Sequence, residues 1–446
     1  MRLRFKRAYL SPQQFLVVGF ALIITIGTIL LALPDASAKG ISIGFLNALF
    51  TAASATCVTG LVVLDTGTHF STFGQVVILM LFQLGGIGFM TTTTWIATVL
   101  RKKVTLRERL ILKESMNQNK VEGIVRLIRK VVMYSVCIEL TAALLFAFRW
   151  SLEMPFSKAL YYGFFHAISF FNNAGFDLFG EFQSLTPYVN DVFMNVLSVF
   201  LILLGGIGFI VMSDLIEYPK TRRLSLHSKV VLATSGILLF LGTVVILICE
   251  FTNSRTLGSL DGGNRILASF FQSASLRSSG TSTLDITEMR QATQFFMVVM
   301  MFIGAAPGST GGGIKVTTFA ILVVSVITML RGKEDVVLFR HRLSKNQIYK
   351  AITVTLISLM LIVASTMILS TTEGKDFLVI LFEVVSAFGT VGFSMGLSQD
   401  LSLFGKILFV VLMFAGRLGP VTLAYAIQSK KRKDLYRYPE GKIIIG

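Results

Sequence analysis

Four glycines stand where a coordinating site could be built from backbone alone. They lie in the segments "TCVTGLV", "FNNAGFD", "LRSSGTS" and "FGTVGFS", at Gly60, Gly175, Gly280 and Gly392, spaced 115, 105 and 112 residues apart. Ten residues before each glycine stands a phenylalanine (Phe50, Phe165, Phe270 and Phe382), and six before stand Ser54, Ser169, Ala274 and Ser386. With 38 phenylalanines in 446 residues, four matches at one offset mark an internal repeat. Each glycine ends an apolar run of roughly 12–16 residues, which is too short to cross a bilayer and reads as a re-entrant helix. Glycine admits positive φ and so lets neighbouring carbonyls turn inward. Rings of inward carbonyls replace the hydration shell of a cation, and the C-terminal ends of the re-entrant helices add negative potential. The competing reading is that these glycines serve close helix packing. It suits the later clusters "LGGIGF" (Gly85–Gly86, and again Gly205–Gly206), "IGAAPG" (Gly304) and "AGRLGP" (Gly416) as well as a pore role does. It suits the loop glycines poorly, because they follow helices too short to span.

The elements that must carry these loops follow from composition. The chain is 53% hydrophobic and 15% charged, with a mean hydropathy of +0.73, well outside the range of soluble domains. It reads as a polytopic membrane protein. The net charge of +17 is not spread as a nucleic-acid footprint. Thirty of the 41 Lys and Arg fall in five segments: Met1–Arg7, Arg101–Lys130, Lys220–Lys229, Arg331–Lys350 and Lys430–Lys442. Each lies before the first span or after a pair of spans, so the positive-inside rule makes one face cytoplasmic and puts both termini there. The segments between hold fewer basic than acidic residues, which favours cation entry from outside. The apolar run after the basic N-terminus has no small-residue cleavage site and reads as a first span rather than a signal peptide. Cys57, Cys137 and Cys249 lie far apart, and four scattered histidines form no metal-binding pattern. The expected fold is all-α: four repeats of span, re-entrant helix, glycine loop and span around a pseudo-fourfold pore, with eight spanning and four re-entrant helices. The repeats occupy residues 1–100, 101–218, 219–331 and 332–429, and residues 430–446 form a basic tail.

A second feature breaks the hydropathy pattern. "FIGAAPGSTGGGIKV", Phe302 to Val316, places five glycines, a proline and a lysine where a span is expected. Irregular backbone at membrane depth must line water or be buried in protein, and a lysine there needs a cavity or a partner. "GSTGGGIK" lacks the Gly-Lys-Ser/Thr ending of a phosphate-binding loop; a kinked packed helix is the plainer alternative. Arg417, 25 residues past Gly392, is the other unexpected charge. It either raises a Coulomb barrier on a cation path or pairs with a carboxylate such as Glu383. Glu139 fits proton coupling or a bond to a neighbouring helix. Asp65 and Asp285, each five residues past a loop glycine, fit braces or cation attractors at an outer mouth.

The four one-glycine loops, covering essentially the whole chain, resemble those of the Trk/Ktr/HKT superfamily of potassium transporters. The resemblance implies a monomer of four M1-P-M2 units in a bacterial cell membrane, with K+ as the transported ion. The implied filter is Val58-Thr59-Gly60, Asn173-Ala174-Gly175, Ser278-Ser279-Gly280 and Thr390-Val391-Gly392. A glycine in the first loop is similar to the potassium-selective members. The resemblance also implies an intramembrane gate beneath the filter, formed by Gly304, Ala305, Ala306, Pro307, Gly308, Ser309, Thr310, Gly311, Gly312 and Gly313, with Lys315 facing water and Arg417 as a barrier. The partners it implies are a second copy (a homodimer, for which the C-terminal "KIIIG" offers a contact) and a cytosolic octameric ring of RCK domains whose ligands are ATP and ADP. The basic inner loops suit that ring and anionic membrane lipids equally; no nucleic acid and no organic cofactor in this chain are expected. One departure stands out: the third loop reads "RSSGTS" where "RTAGFS" is expected, and Thr281 takes the place of Phe176 and Phe393. Packing behind the third quarter of the filter, and with it selectivity, is therefore at issue. Two rival classes are an ion-coupled symporter using Na+ or H+, which usually has inverted repeats, and a membrane enzyme, for which the sequence offers no nucleophile, metal cluster or carboxylate pair.

Overall fold

The computed structural model describes residues 11–88, 91–92, 94, 105–115, 123–420, 422–423 and 439. The N-terminal basic segment, most of Arg101–Lys130 up to residue 122, and the tail with "KIIIG" lie outside the described residues, apart from Leu106–Ser115 and Pro439.

The helices fall into four successive sets. The first holds α1 (Pro12–Leu31), α2 (Phe45–Cys57) and α3 (Thr72–Ile87). The second holds α4 (Ile124–Trp150), α5 (Phe156–Asn172), α6 (Val192–Gly206) and α7 (Phe209–Thr221). The third holds α8 (Leu226–Glu250), α9 (Gly262–Ser275), α10 (Gln291–Phe302) and α11 (Val316–Leu330). The fourth holds α12 (Lys345–Thr372), α13 (Phe377–Gly389) and α14 (Leu403–Leu418). Between α11 and α12 a two-residue hairpin pairs Val337 with Arg342 and Leu338 with His341, turning through Phe339 and Arg340 at positive φ.

The helix starts are set by local chemistry. Ser11 and Ser344 form capping boxes with Gln14 and Gln347 at the starts of α1 and α12. Ser71, Asp191 and Ser402 cap α3, α6 and α14. The end of each later long helix is also tied to the start of its shorter partner. Arg149 bonds Asp191 at 2.7 Å, Glu250 accepts the Arg290 N–H at 2.9 Å, and Glu373 accepts the Ser402 hydroxyl at 2.5 Å.

Four helices, α1, α4, α8 and α12, are long and apolar enough to cross a membrane, or five spans if the bent pair α6–α7 counts as one. They carry their apolar side chains outward. Val18, Leu22, Ile26 and Ile29 form an exposed stripe on α1, and Leu356, Met360, Val363 and Met367 form one on α12. Stripes of this size on four helices fit a hydrocarbon surround rather than water. The short helices sit at the centre instead, where Phe50, Phe165 and Phe382 are fully buried. Each packs against a shorter helix of its neighbour: α2 on α14, α5 on α3, α9 on α6 and α13 on α10. The packing is therefore cyclic, and Phe50 stacking on Phe409 closes it from the last set to the first.

The second helices of the sets are interrupted, as the glycine stretch led one to expect for the third. α3, α6 and α14 stop at Gly88, Gly208 and Gly419, whose φ values are +89°, +89° and +84°. A right-handed helix cannot continue through that conformation, and α6 and α7 meet at 104°. In the third set the interruption grows into the extended stretch 303–315. The clusters just before these breaks are packing glycines. A methyl group on Gly85, Gly205 or Gly416 would strike the carbonyl of Thr56, Phe171 or Phe388, at the end of the adjoining short helix. Gly205→Ala and Gly416→Ala should each cost about 1–3 kcal/mol and lower the unfolding temperature in detergent. Gly236→Ala, on the open face of α8, should leave it unchanged or slightly raised.

Candidate functional site: four loops and a glycine stretch

The four loops meet at the centre of the packing cycle. Three leave their helices by the same turn. Thr59, Ala174 and Val391 donate their N–H groups five residues back, to Ser54, Ser169 and Ser386, at 2.8, 2.8 and 2.9 Å. Val58, Asn173 and Thr390 bond three residues back and hold φ of +58°, +58° and +47°. This is a Schellman turn without its usual glycine. For β-branched Val58 and Thr390 the left-handed conformation costs on the order of 1–2 kcal/mol, strain of the kind that surrounding structure must hold in place.

The third loop is one residue shorter. Ser279 donates only four residues back, to Ser275 at 3.0 Å, and Ser278 holds φ of +92°. The register of α9 shifts accordingly. Phe271 is fully buried and Phe270 only partly, so the buried equivalent of Phe50, Phe165 and Phe382 is Phe271. Ser275, not Ala274, takes the serine position. It donates to the Thr281 carbonyl at 2.5 Å, as Ser169 does to Phe176 at 2.6 Å.

The loop glycines then interlock. A methyl group on Gly60 would lie 2.6 Å from the Ala174 carbonyl oxygen, and one on Gly175 would lie 2.7 Å from that of Ser279. On Gly280 it would strike the Val391 carbonyl, and on Gly392 that of Thr59. Each glycine thus receives the carbonyl of the next loop, and the fourth returns to the first. All four glycines have positive φ, from +68° to +95°. No other residue fits, on both counts. The sequence-predicted filter residues are therefore brought together in one closed ring of backbone.

Buried polar side chains brace the ring from behind. His166 Nε2 accepts the Leu178 N–H at 3.2 Å, and Gln272 Oε1 accepts the Ser282 hydroxyl at 3.2 Å. The Glu383 carboxyl, fully buried, accepts from the hydroxyls of Ser394 and Ser398 at 2.5 Å each and from the N–H groups of Met395 and Leu397 at 2.9 and 3.1 Å. Once the shorter third loop is allowed for, these three residues share one position on their helices. Each directly follows a buried phenylalanine, which is the signal that would have found them. Asp65 bonds the N–H groups of Thr68 and Phe182 and so braces the first loop to the second, whereas Asp285 is exposed and bonds only Thr287. Behind the third quarter, Thr281 replaces an aromatic ring by a buried hydroxyl pair, 3.0 Å from the Ser279 hydroxyl.

The glycine stretch lies against the face of the ring formed by the residues two before the glycines. A methyl group on Gly311 would meet the Ser278 side chain, and one on Gly312 that of Thr390. Its backbone is tied on all sides. Ala306 and Thr310 donate to the carbonyls of Gly206 and Gly205 at 3.0 and 3.3 Å, Phe209 donates to Gly308 at 2.9 Å, and Gly304 to Ile314 at 2.9 Å. Pro307, Gly308, Ser309 and Gly313 are half-buried; Ala305 and Gly304 are buried. On its far side is a cavity of about 470 Å³ whose charged lining is Lys315, Lys350 and Arg417. Lys315 Nζ donates to the Gly311 carbonyl at 2.7 Å. Arg417 does not pair with Glu383. Its guanidinium donates to the carbonyls of Thr310, Gly85 and Gly86, joining the stretch to the ends of α14 and α3. Glu139 bonds Gln83 at 2.8 Å and Asn172 at 3.2 Å, a tie between α4, α3 and α5. No group of three metal-ligating side chains occurs among the described residues.

Residues 6–434 match the family described as TrkH, cation transport protein. The chain is 42% identical to the Ktr system potassium uptake protein B of Bacillus subtilis, over 98% of this chain and 97% of that protein. It is 36% identical to the potassium/sodium uptake protein NtpJ of Enterococcus hirae, over 99% and 98%. The crystal structure of the potassium transporter TrkH from Vibrio parahaemolyticus superposes with a TM-score of 0.74 at 16% identity, covering 96% of this chain and 87% of that one, which establishes a shared fold.

Glu383→Ala would leave two N–H groups and two hydroxyls unpaired. It should cost roughly 3 kcal/mol or more, read as a fall in unfolding temperature, and Glu383→Gln, which keeps an acceptor, should cost less.

Proposed function

The chain belongs to the TrkH family of cation transport proteins, and from that premise we propose that it is the potassium-conducting membrane subunit of a K+ uptake system. The observation that carries this reading is the closed ring in which each loop glycine receives the next loop's carbonyl. A potassium ion entering the ring exchanges water for carbonyl oxygens of Val58-Thr59-Gly60, Asn173-Ala174-Gly175, Ser278-Ser279-Gly280 and Thr390-Val391-Gly392. The short helices direct their negative ends toward it. The stretch 304–313 is the gate, lying across the path beneath the ring, with Lys315 and Arg417 in the cavity below. Arg417 acts twice: it holds Thr310 in place, and its fixed charge raises the barrier to a cation.

In this reading the four helix sets are M1-P-M2 units, and each broken second helix completes a span, giving eight. Both termini lie in the cytoplasm of a bacterial cell. The relative named as part of a Ktr system supports an assembly: a homodimer beneath which an octameric RCK ring, liganded by ATP or ADP, controls the gate. The four units share one orientation, which favours a pore over a Na+- or H+-coupled symporter. Glu139 is committed to two side-chain amides rather than placed as a proton carrier. The chain is not an enzyme; its relatives are transport proteins.

Purified protein in proteoliposomes should pass potassium and rubidium well above sodium, linearly with driving force and with no counter-ion. Arg417→Ser should raise rubidium flux several-fold, because it removes both a fixed charge and a tie on the gate. Unchanged or lower flux in folded variant protein would contradict the gate and barrier assignment.

A further inference from the structure

The shorter third loop has a consequence at Ser278. Its hydroxyl is fully buried and makes two bonds that leave its own loop. It donates to the Thr390 carbonyl at 2.8 Å, and it accepts the N–H of Gly312 at 3.2 Å. The equivalent side chains in the other loops make no such pair of bonds. Val58 has no polar group, and the Asn173 amide, turned to satisfy its bonds, donates to Ile202 at 3.2 Å and Phe170 at 2.9 Å. The Thr390 hydroxyl lies 3.4 Å from that of Ser278 itself. Only Ser278 has lost the helix-end turn shared by the other three, and its φ of +92° differs from their +47° to +58°. The missing residue re-aims this side chain onto the glycine stretch. The approach also needs Gly311 and Gly312, since a methyl group on Gly311 would lie 2.7 Å from the Ser278 Oγ.

We propose that the Ser278 hydroxyl is a latch coupling the glycine stretch to the carbonyl ring. The inference rests on the reading of that ring as a cation site and of the stretch as its gate. With the stretch in place, the Gly312 N–H occupies one lone pair of the hydroxyl and holds its proton toward Thr390. The Thr390 carbonyl, which has two lone pairs, then offers one fewer to an ion. When the stretch leaves, the hydroxyl rotor is released, and the carbonyl is free to face the ion. Opening the gate and freeing the fourth loop's Thr390 carbonyl for the ion, next to the ring carbonyl of Val391, become one event.

The test uses the full chain in proteoliposomes with no regulator present, and reads rubidium flux, the potassium-to-sodium flux ratio, and hydrogen exchange of the peptide 303–315. Ser278→Ala should raise rubidium flux about fivefold, the worth of one hydrogen bond, speed exchange in 303–315, and keep potassium ahead of sodium. Ser278→Thr, which restores a hydroxyl, should pull both flux and exchange back from the alanine values. If the alanine variant is unstable, Ser278→Cys, with its weaker acceptor, should still exchange faster than the parent. Exchange in 303–315 equal to the parent in folded variants overturns the latch. So does a collapse of the potassium-to-sodium ratio with no change in exchange, which would make Ser278 a scaffold of the ring alone. Absence of cation flux in the parent, Arg417→Ser and Ser278→Ala proteins alike would overturn the pore reading itself, and the gate with it, whatever the exchange shows.

Discussion

Four contacts between backbone and backbone set the terms for the rest of this protein. At each, the carbonyl oxygen of one loop occupies the space that a side chain on the next loop's glycine would need. The contact demands a residue with no Cβ and a positive φ, and it recurs around a closed cycle. A cycle of this kind transmits displacement, because moving one carbonyl moves the glycine against which it rests. That explains the density of bracing behind the loops. Ser169, Ser275 and Ser386 bond the chain at or just past the glycines, and His166, Gln272 and Glu383 hold it further on. Buried polar groups are costly unless satisfied, so each brace also commits its partner to one position. The strained turns at Val58 and Thr390 persist on the same account.

The glycine stretch is held differently. Besides the close packing of Gly311 and Gly312 on Ser278 and Thr390, its ties are individual hydrogen bonds to helix ends, to Arg417 and to Ser278. A net hydrogen bond is worth about 1 kcal/mol, so these ties can be broken one at a time, whereas each contact of the ring above is backbone against backbone. This bonding is compatible with the stretch as the proposed gate. It also accounts for the two cations beneath the ring. Lys315 and Arg417 donate to carbonyls that broken helices leave without partners, and so the interruption of the helices and the presence of charge at that depth have one cause.

Much of this was legible in the sequence, and the parts that were not share a reason. The loop glycines, their spacing, the glycine stretch and the placement of charge all follow from residue type and period. Periodicity is blind to a single missing residue. The match of Phe270 and Ala274 at fixed offsets was genuine as sequence, yet the turn lost before Gly280 moves Phe271 and Ser275 into those places. Glycine's two uses are likewise indistinguishable in a string. In "LGGIGF" the first glycine admits a neighbouring carbonyl, and Gly88 or Gly208, three residues on, breaks the helix. Partners far apart in the chain were the least readable. Arg417 meets Thr310 and Gly85 rather than Glu383, and Glu383 meets the loop that follows its own helix. Charge alone says that a partner is needed, not that it is a carbonyl.

In the proposed function, four backbone carbonyls, those of Thr59, Ala174, Ser279 and Val391, form a binding ring for a dehydrated monovalent cation. The most direct measurement is anomalous diffraction from crystals of the protein soaked in thallium(I), a potassium mimic with a strong signal. A peak is expected on the axis of the ring, within coordination distance of those four oxygens and displaced by potassium but not by an equal concentration of sodium. Thallium density confined to the cavity beside Lys315 and Arg417 or to the surface, with the ring resolved and empty, would contradict it.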